Sequence, residues 1–309
     1  MNRRQFIRTA GTAASGLLLP STLLWSSSRL GKAEGRFTVL HTNDTHARLD
    51  PFPDNHPTLG GLGGIARRAA AVKQIRAEQP NTLLVDAGDI FQGTPYFNFF
   101  KGTIDLELMS EMGYAASTLG NHEFDIGIDG FCESANSAAF PFINCNYDFG
   151  NEPMKQFMQP YITRMAGPMK VGITGCGIDL QGLVLPSMWG GITYSDPVEP
   201  VRKMAQYLRK TERCDVVICL SHLGYEYGDT KVSDKVLAQQ VPELDIVIGG
   251  HTHTFLETPF VVDHGTHKNV VTQAGWGGAV LGRLDVTFND AGKINAVSMA
   301  PTAVDARWG

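Results

Sequence analysis

The sequence is short of several things, and each shortage removes a class of explanation. It has no C-x-x-C pair, and its five cysteines (Cys132, Cys145, Cys176, Cys214 and Cys219) are an odd number. That excludes a fully paired disulfide framework and a cysteine-built zinc module. Cys145, Cys176 and Cys219 fall in apolar, strand-like runs, so buried free thiols are expected, with a single disulfide as the alternative. Positive charge is scarce as well. Over 309 residues, 26 basic side chains stand against 31 acidic ones, a net charge of -5, and no basic stretch is dense enough to track a nucleic acid. A protein of this balance that handles phosphate must find its positive charge locally, and bound metal ions supply it. No apolar run is long enough to span a bilayer cleanly, so no stable membrane span is expected. Internal repeats and low-complexity tracts are absent. The segment Gly60-Gly61-Leu62-Gly63-Gly64 lacks both the Lys-Ser/Thr ending and the dinucleotide spacing of nucleotide loops, and it reads as a flexible entry to a helix.

Residues 1–33 stand apart from the rest. Arg3 and Arg4 precede Phe6 and Ile7, and a mildly apolar stretch over 9–25 is broken by Gly11, Gly16 and Pro20. A positive start, a short apolar middle and a small-residue exit near Ala33 predict a secretory signal. Adjacent arginines ahead of Phe-Ile resemble a twin-arginine export signal. The expectation is a leader over 1–33 and a catalytic domain over 34–309, placed in the periplasm or outside the cell. An uncleaved membrane anchor is the alternative. Cleavage at Ala33 would remove Arg3, Arg4, Arg8, Arg29 and Lys32 and no acid, which makes the mature chain more acidic still.

Beyond the leader, short apolar runs at 37–40, 82–85, 115–119, 142–145, 171–176, 216–220 and 246–248 predict strands. Helical spacing predicts helices over 62–79, 104–112, 198–210 and 232–241. The alternation argues an α/β domain whose sheets are covered by helices. From 260 onward the pattern changes to strands alone, at 260–262, 270–273, 281–288 and 294–299, with Asn289-Asp290-Ala291-Gly292 as a hairpin turn. A second sheet is expected there. The aromatic run Phe91, Tyr96, Phe97, Phe99 and Phe100 is expected to pack into the core, with a wall beside the substrate as the alternative.

The informative residues lie just past the predicted strands. Asp44 and His46 come after 37–40, Asp89 after 82–85, and Asn121 and His122 after 115–119. His222 comes after 216–220, and His251 and His253 after 246–248. In α/β sheets ligand sites lie beyond the carboxyl ends of strands, so five strand ends can converge on one place. Imidazole nitrogen and carboxylate oxygen suit Zn, Mn, Fe or Co, and an inventory of seven donors with one shared carboxylate matches two ions. Singly, Asp44 reads as a cap and His222 as a satisfied core residue; jointly they read as a metal site. His41, His56, His264 and His267 fit no role in the pattern and are read as structural or exposed.

These blocks, Asp44-x-His46, Gly88-Asp89, Gly120-Asn121-His122-Glu123, His222 and Gly250-His251-x-His253, resemble the signature of the calcineurin-like metallophosphoesterases. The stretches Leu40-His41-Thr42-Asn43-Asp44-Thr45-His46 and Gly120-Asn121-His122-Glu123-Phe124-Asp125 resemble more narrowly the 5′-nucleotidase and UDP-sugar hydrolase branch. The resemblance runs from about Phe37 to the C-terminus. It implies a four-layer sandwich of two mixed β-sheets flanked by helices. It also implies that Asp44, His46 and His253 bind one divalent ion, that Asn121, His222 and His251 bind a second, and that Asp89 bridges the two. His122 would act on the phosphate, with Asp125 holding its ring. Some members carry Gln where His253 stands, which bears on metal preference.

The function implied is hydrolysis of a small phosphate ester, a nucleotide first. A phosphodiesterase, a sugar-nucleotide hydrolase or a hydrolase of a sulfur-bound group on the same scaffold is the enzymatic alternative. A metal-bearing subunit that needs a partner is the non-enzymatic one. Enzymes of this branch usually continue into a second domain that stacks the base, so a separately encoded substrate-binding domain is the expected partner.

Overall fold

A strand that reads as an unbroken apolar run has two buried faces, and Val216–His222 shows why. Every residue in it is buried. Val216, Ile218 and Leu220 point into one apolar cluster, while Val217 and Cys219 point into another. The same alternation sends Leu83 and Val85 one way and Leu84 the other. Side chains alternate across a strand, so apolar runs of this kind require a layer on each side. The computed structural model describes residues 21–24, 35–265, 267–289 and 293–309.

Two mixed sheets result. In the first, Arg36–Thr42, Thr82–Asp86, Ala116–Ser117, Phe142–Ile143 and Met158–Gln159 run parallel. Val280–Phe288 joins Arg36–Thr42 antiparallel, Ile294–Met299 joins Val280–Phe288, and Ser21–Leu24 lies at the edge. In the second, Met169–Gly177, Val216–His222, Ile246–Gly249 and Lys268–Thr272 run parallel, with antiparallel Tyr161–Ala166 and Phe260–Asp263 at the edges. The sheets face each other across a core that includes Val39, Val85, Val286, Ile173, Ile218 and Ile248. Helices Ile65–Glu78, Thr103–Glu111 and Gly127–Ala135 cover the outer face of the first sheet. Val198–Lys210 and Asp234–Gln240 cover that of the second. This is the expected four-layer α/β sandwich.

Two expectations need correction. The C-terminal strands do not form a sheet of their own: Phe260–Asp263 and Lys268–Thr272 extend the second sheet, whereas Val280–Phe288 and Ile294–Met299 return to the first. The cause is pairing. Leu284 and Val286 register against Val39 and Phe37, closing the inter-sheet core. The aromatic run is also divided. Phe91 and Phe97 are buried, but Phe99 and Phe100 are 80% and 46% exposed on the short helix Pro95–Phe100, and Tyr96 donates to Asp50 at the surface.

The turn over 289–292 falls mostly outside the described residues, although the strands it joins do pair. The leader expectation, apart from the 21–24 strand, also lies outside them. Among the described residues no helix is long and apolar enough to cross a membrane. All five cysteines are free; Cys176, Cys214 and Cys219 are buried, while Cys145 and Cys132 are partly exposed.

Candidate metal centre

The parallel strands of both sheets end on the same side, and their next residues meet. Three groups of donor atoms form there, each with its atoms within 4.8 Å of one another: Asp44, His46 and His253; His46, Asp89 and His122; and Asp89, His222 and His251. His251 Nδ1 lies 2.9 Å from Asn121 Oδ1, which brings the remaining predicted donor to the last group. All nine residues singled out from the sequence therefore sit in one place, with Asp125 holding His122 at 2.7 Å. His122 also lies among potential donors, although the motif gives it a role in chemistry alone.

The local backbone explains how so many side chains turn inward. Asp44, His46, Asp89, His251 and His253 all have left-handed φ, between 51° and 71°, and they make up five of the nine such non-glycine residues among those described. That conformation is costly for residues with a Cβ and persists only where surroundings enforce it. The enforcement is visible. Asp44 N donates to Gly88 O and His46 N to Asp89 O, tying two strand ends together. Gly120 is obligatory here, because a Cβ would lie 2.1 Å from Asp89 Oδ1.

Hydrogen bonds fix which ring nitrogens face the centre. His222 Nδ1 donates to Ala87 O at 2.7 Å, and His46 Nδ1 to Phe91 O at 3.3 Å. Each bond leaves Nε2 as the inward atom and sets the tautomer a metal ligand needs. His222 Nε2 is buried with no hydrogen-bond partner, although Asp89 Oδ2 lies 3.0 Å away and Asp44 Oδ1 4.0 Å. His46 Nε2 and His253 Nε2 face each other at 3.0 Å. Two imidazole nitrogens brought to 3.0 Å, an orphaned buried nitrogen and two carboxylates form a donor set that fits divalent cations.

Charge runs the same way. Burial works against the Asp89 carboxylate, but His222, with His122 and His46, outweighs it and holds the group below its ordinary range. Burial lowers His251 to about 4, assisted by the charge of His222. For His122 burial also opposes protonation, yet the hydrogen bond to Asp125 and the charges of Asp89, Asp125 and Glu123 lift it to about 9.

Several contributors are not evident from the sequence. Glu123 is fully buried and accepts from the backbone N–H groups of Asp89, Ile90, Phe91 and Gly120, at 2.9, 2.8, 3.3 and 2.6 Å. It thereby joins the Asp89 loop to the Asn121 loop. Asp86 accepts from Thr42, Ser117 and Gly88 N, and burial raises it to about 6. Asn43 donates to Asp44 Oδ2 at 2.6 Å. Gln273 donates to Gly250 O at 2.6 Å from yet another strand end, where the strand-end rule that picked out the candidate ligands also points. Trp276 stacks on His253 with ring centroids 5.5 Å apart. The unassigned histidines are structural. Burial pushes His41 down to about 3, and His264 and His267 bond to Ala238 O and Leu244 O.

A family model described as calcineurin-like phosphoesterase matches residues 37–255. The chain is 35% identical over 301 residues to snake venom 5'-nucleotidase from Gloydius brevicauda, covering 90% of this chain and 50% of that protein. It is 33% identical over 307 residues to 5'-nucleotidase from Bos taurus, covering 92% and 51%. A solved structure, 5'-nucleotidase precursor from Thermus thermophilus, superposes with a TM-score of 0.79 at 32% identity, over 89% of this chain and 56% of that one. The chain spans about half the length of the curated relatives it matches.

Proposed function

The chain belongs to the calcineurin-like phosphoesterase family, and from that premise we propose that it is an exported hydrolase of phosphate monoesters, nucleoside 5′-phosphates in particular. The observation that carries the reading is the convergence of seven donors around a buried His222 Nε2 that has no hydrogen-bond partner. Asp44, His46 and His253 would hold one divalent ion, Asn121, His222 and His251 a second, and Asp89 both; Zn, Mn, Fe and Co all suit the donors. Two ions bound there would neutralise charge growing on the phosphoryl oxygens and lower the pKa of the attacking water.

The chain's own groups supply the rest. Against the opposing effect of burial, the hydrogen bond to Asp125 and the neighbouring carboxylates raise His122 to about 9, and its side chain is 31% exposed. Asp125 accepts from Nδ1–H and leaves Nε2–H as the ring's free donor beside the centre. From there Nε2–H donates to a phosphoryl oxygen as its charge rises, or gives its proton to the leaving alkoxide when the P–O bond to the alcohol breaks. The relatives named as 5'-nucleotidases favour a nucleotide as the ester. The exposed Phe99 and Phe100, on the helix after the Asp89 loop, favour a second reading in which a further domain or partner packs there and completes specificity.

The test is a substrate panel on metal-stripped protein reloaded with Mn or Zn: nucleoside 5′-phosphates, p-nitrophenyl phosphate, cyclic nucleotides and sugar nucleotides. Metal-dependent turnover of monoesters is expected, and a His122→Ala variant should retain its metals while losing on the order of 10²-fold in rate. Cleavage of diesters alone would move the assignment to the alternative on the same scaffold. Export rests on the Arg3-Arg4 leader; secretion of an Arg3→Lys, Arg4→Lys variant at the normal level would refute the twin-arginine route.

A further inference from the structure

A cavity of about 270 Å³ opens past the end of the strand that neighbours the His222 strand, lined by Tyr147, Asp179, Gln181, Trp189, Thr193 and Tyr194 among others. Two contacts fix its place. Gly177 registers against His222 across neighbouring parallel strands, and Tyr147 packs so closely on Gly177 that a Cβ there would lie 2.4 Å from its hydroxyl. At the other end Met188 Sδ lies 3.6 Å from where a Cβ on Gly127 would stand, two residues after Asp125. The cavity loop therefore bridges the His222 strand end and the segment that holds His122. Strands lie about 4.8 Å apart and rise about 3.3 Å per residue, so Asp179 stands within roughly 10 Å of His222. Phosphate, sugar and base laid out in line cover a comparable distance.

The cavity is built rather than incidental. Asn146 clips both ends of its loop, donating to Gly177 O at 2.9 Å and Ser195 O at 3.1 Å while accepting from Gly177 N. Glu152 accepts from Gly191 N at 2.7 Å in the middle. The Tyr147 hydroxyl donates to Ile178 O. A pocket held open this way loses little ordering entropy when it is filled. Its lining pairs three aromatic rings with a carboxylate and a carboxamide. Rings stack on a flat heteroaromatic base, and a carboxylate accepts from sugar hydroxyls. The volume sits just below the ~300–1,000 Å³ of sites for drug-sized ligands, which suits one nucleoside.

We propose that this cavity takes the nucleoside half of the substrate whose phosphate lies at the Asp89 centre, so that this domain carries a base subsite of its own. The proposal rests on the phosphoesterase reading for its substrate. It is tested by the selectivity of the metal-loaded protein, kcat/KM for AMP divided by kcat/KM for glycerol phosphate, in wild type, Trp189→Ala, Tyr194→Ala and Asp179→Asn. Loss of a base stack should lower that ratio about 10- to 100-fold in each aromatic variant, and Asp179→Asn should lower it less. An unchanged ratio in both aromatic variants would overturn the proposal, and turnover of glycerol phosphate reports that each variant is folded. A second measurement needs neither metal nor catalysis: adenosine binding to the stripped wild-type protein, read by tryptophan fluorescence, should quench a signal that Trp189→Phe removes. Quenching that survives in Trp189→Phe would also overturn it. Failure of the wild type to hydrolyse either phosphate would refute the phosphoesterase reading alone, and the adenosine titration would still judge the cavity.

Discussion

The same strands serve two regions with opposite chemistry. Between the sheets, Val216, Ile218, Leu220, Ile246 and Ile248 stand in regular extended backbone and pack into one apolar cluster. Two or three residues past the end of three strands, the chain becomes left-handed and polar in a largely buried setting, as at Asp44, Asp89 and His251. In the first region, burial drives folding directly, at roughly 25 cal/mol per Å² of apolar surface. In the second, burial of carboxylates and imidazoles costs free energy and is held in place by the first. The comparison teaches that the sandwich is a rigid frame for a strained rim, and that rim residues are chosen for what they bind and not for what they stabilise.

Substitutions at the two regions should therefore separate stability from activity. The largest effect on activity is expected from Asp89→Asn. It removes the one carboxylate placed in two donor groups, and turnover should fall on the order of 10³-fold. Metal analysis of that variant should show both ions disturbed; two ions retained at full occupancy would break the bridging assignment. Next comes the frame. Ile218→Ala, fully buried between the sheets, should cost roughly 2–5 kcal/mol of stability by denaturant titration. Its folded fraction should turn over substrate at close to the wild-type rate. A large kcat loss instead would mean that frame and rim are not separable.

Glu123→Gln tests the joint between them. Four backbone N–H groups converge on this carboxylate, and an amide keeps only one acceptor oxygen to meet them, leaving donors unpaired at about 1–3 kcal/mol each. We expect a 10- to 100-fold loss in kcat together with weaker metal retention, and a loss confined to thermal stability would demote Glu123 to frame.

The smallest expected effect is at Asp105, a buried carboxyl in a helix outside the rim blocks, which burial raises to about 7 despite the opposing charge of Arg68. Because its folded pKa lies above the unfolded value of 3.8, its contribution is fully present below about pH 4 and is lost as pH rises through about 7. Asp105→Asn should flatten that slope, raising the melting temperature at pH 8 relative to wild type by a few degrees, about 1 kcal/mol. Equal shifts at pH 4 and pH 8 would show that the carboxyl does not titrate in this window.

Much of this was legible in the sequence because the periodicities are local. The helix over 198–210 and the strand over 294–299 end where their apolar pattern ends. The candidate ligands were legible because metal chemistry admits few side-chain types and each sits at or just past the end of an apolar run. Helix Gly127–Ala135 was missed because a glycine opens it and another, Gly130, interrupts it, and strand Tyr161–Ala166 because half of it faces solvent. Glu123 was in plain view inside a motif, but its role depends on the backbone of Asp89, Ile90 and Phe91 more than thirty residues earlier.

The sequence by itself determined the α/β class and most of the strands, and it marked nine candidate site residues that the fold brings to one place, since periodicity and donor chemistry act within a few residues. Only the tertiary structure decided which sheet each C-terminal strand joins, which ring nitrogen of His46 and His222 faces the centre, and that an aromatic cavity forms around Tyr147, Trp189 and Tyr194. The physical reason is range. Periodicity and donor type act between neighbours along the chain, whereas register, tautomer and cavity are set by atoms that only folding brings together: His222 Nδ1 and Ala87 O are 135 residues apart in sequence and 2.7 Å apart in space.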